Sequence, residues 1–82
     1  MEKIIIPIKT DNNGKLKTVS ALKQIQKHNK DIIFPNIDLE KISLSMLTLT
    51  NNKKCTQGIF IGTKYDNKLN VWNEGNLELI FE

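Results

Sequence analysis

The chain has one cysteine, one histidine, two prolines, a single tryptophan and no arginine in 82 residues, and each shortage removes a class of function. A lone thiol, Cys55, closes no internal disulfide, and no Asn-x-Ser/Thr sequence occurs, so a reducing compartment is expected. Metal centres need three or four His, Cys, Asp or Glu ligands converging on one ion. His28 and Cys55 stand 27 positions apart, Asp11-Asn12-Asn13-Gly14 has one carboxylate, and Asp66-Asn67-Lys68 lacks the acid spacing of a calcium loop. No metal is expected.

Nucleophilic catalysis needs a base beside Ser, Thr or Cys. The only imidazole, His28, falls at the edge of an apolar helical stripe, and Cys55 follows a lysine-rich turn with no helix N-terminus to lower its pKa. A phosphate cradle needs several glycines where a strand passes into a helix, and residues 9 to 18 contain only Gly14. Nine acidic residues, most of them in turns or at the ends, single out no catalytic pair. A non-enzyme without cofactor is the expectation.

No apolar run exceeds three residues, against about 20 for a membrane-spanning helix. The opening Met-Glu-Lys-Ile-Ile-Ile-Pro places an acid where a signal peptide is basic, and its apolar stretch is shorter than an h-region of about 7 to 15. A cytoplasmic protein without membrane association is expected.

What is present is a bias toward AT-rich codons: 12 Lys, 12 Ile and 10 Asn supply 34 of the 82 residues. The charge is uneven. Residues 1 to 30 hold seven lysines against Glu2 and Asp11, a net of +5, and the other 52 residues hold five lysines against seven acids, a net of −2. Such asymmetry concerns a partner before it concerns the fold.

Lys3 to Lys9 reads as a strand that Pro7 confines to a sheet edge or to a position whose N–H the ladder does not need. Asp11-Asn12-Asn13-Gly14 is a turn, after which residues 15 to 18 can pair back as a short strand. From Val19 the period is helical: at about 100° per residue Leu22, Ile25 and Ala21 form one stripe, with Lys23, Lys27 and Lys30 in about a 60° arc beside it. Thr18 suits the N-cap and Asn29 a left-handed C-cap, giving a helix over about 19 to 29.

Residues 31 to 40 are a connector with room for a short strand. Residues 41 to 50 alternate apolar and hydroxyl side chains with one change of phase, as a bulged strand would. The competing reading is a helix capped by Asp38 with Leu39, Ile42 and Met46 on one side. Asn51-Asn52-Lys53-Lys54 turns the chain.

Loops at Asp66-Asn67-Lys68 and Asn73-Glu74-Gly75 would place Ile59, Ile61, Thr63, Tyr65, Leu69, Val71, Leu77 and Leu79 on one face of a C-terminal β-meander. The fold class is a single α+β domain, one helix packed on a mostly antiparallel sheet.

Two surfaces are candidates for binding. The basic one is Lys15, Lys17, Lys23, Lys27 and Lys30; without arginine it lacks the usual bidentate reader of guanine, and without aromatics it lacks a stacking platform. The aromatic one is Phe60 and Trp72, expected together on the outer side of the meander, Trp72 opposite Gly62. The leading expectation is a protein-binding module, of the phage or mobile-element accessory or inhibitor kind, docking on an acidic protein surface. The alternative is nucleic-acid association without base specificity, and self-pairing through an open sheet edge is a further partner expectation.

Overall fold

A computed structural model describes all 82 residues. Its three-stranded antiparallel sheet has β5 (Val71–Phe81) in the middle, flanked by β1 (Glu2–Lys9) and β4 (Cys55–Asp66). Between β1 and β4 the chain forms α1 (Thr18–His28) and a separate two-stranded ladder, β2 (Ile32–Ile33) with β3 (Thr48–Leu49). Two single-turn 3-10 helices, Leu39–Lys41 and Leu44–Met46, lie between β2 and β3. The fold is α+β, and no helix is long and apolar enough to cross a membrane.

The core follows from two periodicities. In β1 every second residue faces inward, so Ile4, Ile6 and Ile8 lie opposite Leu79, Leu77 and Gly75 of β5. In α1 the expected stripe of Ala21, Leu22 and Ile25 is buried, and Leu22 and Ile25 join Ile6, Ile8, Leu77, Leu79 and Phe81 in one apolar cluster. Ile32, Ile42, Leu47, Leu49 and Cys55 complete that cluster from the middle of the chain. Each such Leu or Ile contributes roughly 1.5–3 kcal/mol by leaving water.

Pro7 does lie in an edge strand, where its missing N–H costs no ladder bond. The turn at residues 11–14 also forms. Gly14 takes φ 73°, its N–H donates to the Asp11 carbonyl, and the Asp11 carboxylate accepts the N–H groups of Asn13 and Lys15. Those two N–H groups, Lys15's foremost, hold the Asp11 carboxyl below its ordinary value.

Several expectations need correction. Residues 15–18 form no strand: the one backbone bond from them back to the preceding segment is Asp11 N–H to the Lys15 carbonyl. Lys17, not Thr18, is the N-cap, with no side-chain bond to the helix. Asn29 is extended (φ −141°, ψ 119°), and its side-chain carbonyl accepts the Asp31 N–H, steering the chain directly into β2. Residues 41–46 are neither strand nor α-helix. The Leu44–Met46 turn packs against β4 through Leu44 beside Gly58, but the first backbone bond from this segment to β4 is the Cys55 N–H to the Leu47 carbonyl; before it the backbone closes on itself in 3-10 turns.

The largest correction is at the C-terminus. Gly75 is not a loop residue: β5 runs unbroken from Val71 to Phe81, and the third strand of the sheet is β1. The β4–β5 hairpin closes from Asp66 opposite Val71, and Tyr65 faces Trp72 instead of Leu69. Bulges at Thr56 and Thr63 of β4 and at Asn73 of β5 shift the register. Because Leu77 and Leu79 set the inner face, their partners Phe60 and Gly58 face inward, and Ile59 and Ile61 face outward.

Candidate protein-binding surface

Lys15, Lys17, Lys23, Lys27 and Lys30 are all exposed, and none has a carboxylate within ion-pair distance: the salt bridges are Lys3–Glu78 and Lys53–Glu2. They do not form one compact patch. Lys15 and Lys17 precede the first turn of α1 and Lys30 follows its end, and a helix of 11 residues is about 16 Å long. Lys23 and Lys27, one turn apart, remain neighbours. Lys27 also lines a cleft, described below.

Phe60 and Trp72 are linked, though on the inner side and not the outer. Gly62 and Gly75 are direct partners in the sheet, and neither has room for a Cβ: the Trp72 indole lies over Gly62 and the Phe60 ring over Gly75. Phe60 is thereby half-buried against the core. Trp72 stays 44% exposed, edge-on to Tyr65 with ring centroids 5.0 Å apart.

The sheet's other face is uncovered. Across the three strands its rows read Lys3–Ile80–Gln57, Ile5–Glu78–Ile59, Pro7–Asn76–Ile61 and Lys9–Glu74–Lys64. Ile5, Ile59 and Ile61 are 53%, 40% and 46% exposed. With Pro7 they are the exposed apolar side chains of this face, interleaved with Glu78 and Asn76. The alternation that carries them is visible in the sequence, where it reads as a core face.

Beside these rows lies a cleft of about 480 Å³, formed by Pro7, Ile8, Lys9, Thr63, Glu74, Gly75 and Asn76 of the sheet and Gln24, Lys27 and His28 of α1. The Lys9 and Lys27 ammonium groups stand against a single carboxylate, Glu74, so the cleft carries a positive excess. Gln24 fixes the helix beside β1, its amide accepting the Lys9 N–H (2.8 Å) and donating to the Lys9 carbonyl (3.0 Å). Neither Lys9, Gln24 nor His28 stands out as a surface residue in the sequence, because the cleft is assembled from four segments far apart in the chain, Lys9 and Gln24 being separated by 15 positions.

Cys55 is buried at the start of β4, its thiol donating to the Gln57 carbonyl. Burial pushes its pKa up, which disfavours the nucleophilic thiolate. Comparison with known protein families, with curated proteins and with solved structures finds no match.

Proposed function

We propose that the protein is a non-enzymatic binding module that docks on another protein through the open face of its sheet. The observation that carries this reading is the uncovered row set holding Ile5, Pro7, Ile59 and Ile61, continuous with a cleft whose rim is Lys9, Lys27 and His28. Apolar contacts supply the affinity and the cationic rim selects an acidic partner. Such docking occludes the partner's surface, which is how a small accessory or inhibitor protein acts, and a buried free thiol suits the cytoplasm.

Capture from a cytosolic extract tests it. An Ile5→Asp variant and a Lys9→Glu/Lys27→Glu variant are expected to lose the partner retained by wild type while keeping its circular dichroism. Retention by both variants removes the proposal. A second reading, non-specific nucleic-acid binding, draws on the five lysines without carboxylate partners. It requires duplex or single-strand binding at low salt that falls steeply as salt rises.

A further inference from the structure

The two edges of the sheet are closed to different extents. On β1, Pro7 has no N–H and Gln24 occupies both peptide groups of Lys9. On β4, no backbone bond outside the sheet reaches residues 57 to 65. Which of their groups are free follows from alternation. The Lys9 peptide groups turn away from β5, so Ile8 and Gly75 turn theirs toward each other, and Asn76 and Glu78 turn theirs toward β4. Their partners Ile61 and Ile59 are therefore satisfied by β5, and the N–H and C=O groups of Gly58, Phe60 and Gly62 point outward.

This open stretch has defined ends. At one end is the Thr56 bulge, beyond which the Cys55 N–H is already donated to the Leu47 carbonyl (2.9 Å); at the other is the Thr63 bulge. Phe60 is its midpoint.

We infer that the protein pairs with a second copy of itself along this edge, antiparallel about a twofold axis at Phe60. In that register Phe60 meets Phe60, and Gly58 of each copy meets Gly62 of the other. These three pairs use every outward N–H and C=O of the stretch, and a shift by two residues in either direction leaves one pair unmade. On the open face, Ile59 of each copy stands opposite Ile61 of the other at positions between the hydrogen-bonded pairs, where side chains approach most closely. Gln57-Gly58-Ile59-Phe60-Ile61-Gly62-Thr63 contains no charge, so no like charges are set against each other. The contact is isologous and closes as a dimer. It extends the sheet to six strands and joins the two open faces into one.

Sedimentation equilibrium over a wide concentration range tests the pairing. Wild type is expected to show a monomer–dimer equilibrium, and Ile59→Lys/Ile61→Lys to raise the dimer Kd at least about tenfold, which is about 1.4 kcal/mol. An equal mixture of that variant with Ile59→Glu/Ile61→Glu is expected to restore the dimer as a mixed species, and Ile5→Lys, on the far strand, to dimerise like wild type. Circular dichroism establishes that each variant is folded. A wild type that stays monomeric throughout overturns the inference, as does undiminished dimerisation of the Lys/Lys variant or dissociation caused by Ile5→Lys.

Discussion

At Gly62 and Gly75 two glycines face each other in the middle of the sheet, and an aromatic ring occupies the space each side chain would need. Gly62→Ala pushes the Trp72 indole aside and Gly75→Ala meets the Ile61 carbonyl as well as Phe60. Overpacking of this kind costs about 1–3 kcal/mol. Each substitution is expected to lower the thermal midpoint by several degrees, Gly75→Ala more, because a backbone carbonyl cannot rotate away as an indole can. Equal midpoints for wild type and Gly75→Ala would show that the strand shifts freely at this pair. Leu22→Ala, at a fully buried position of α1, is expected to cost about 2–5 kcal/mol in denaturant unfolding.

Among the elements, α1 and the β4–β5 hairpin show what sequence patterning conveys. The helix was legible because its stripe is local: Ala21, Leu22 and Ile25 lie within one turn or so of each other, and the period carries the information. Strand β5 was not, because Asn73-Glu74-Gly75 has turn composition and is held straight only by partners from β1 and β4. The Gly75 partner Ile8 is 67 positions away, beyond the reach of any local pattern. With a loop in place of β5, Ile59 and Ile61 read as inward and Phe60 as outward, whereas the register sets Phe60 inward opposite Leu77 and turns Ile59 and Ile61 to the open face.

The hairpin loop makes a pH prediction. The N–H of Leu69, the side-chain amide of Asn73 and the N–H of Lys68 hold the Asp66 carboxyl below its ordinary value. The unfolded chain then binds a proton that the folded one does not. The loop's contribution is complete above about pH 4 and is lost as pH falls through the lower folded value. Asp66→Ala is expected to flatten this part of the stability–pH curve in chemical unfolding from neutral to acid pH, and an unchanged curve counts against the loop contact.

The whole molecule is more extended than its mass requires. Its surface is 5624 Å², against about 5,000 Å² from size scaling. Its radius of gyration is 13.1 Å, against about 11.7 Å for a compact chain of this length. The long hairpin accounts for both, since a strand of 12 residues at about 3.3 Å each spans about 40 Å, close to the 43 Å longest dimension. The helix and the segment from Ile32 to Leu49 pack on one side of that sheet, and Ile5, Ile59 and Ile61 of the other side remain exposed. The open face is the surface proposed for docking. Hydrogen exchange of the protein bound to its captured partner tests this most directly: protection is expected to rise at Ile5, Ile61 and Asn76 and around the cleft at Lys9 and Lys27, with the 3-10 segment at 39–46 unchanged. Protection confined to that segment, or to the Tyr65–Trp72 tip, would contradict it.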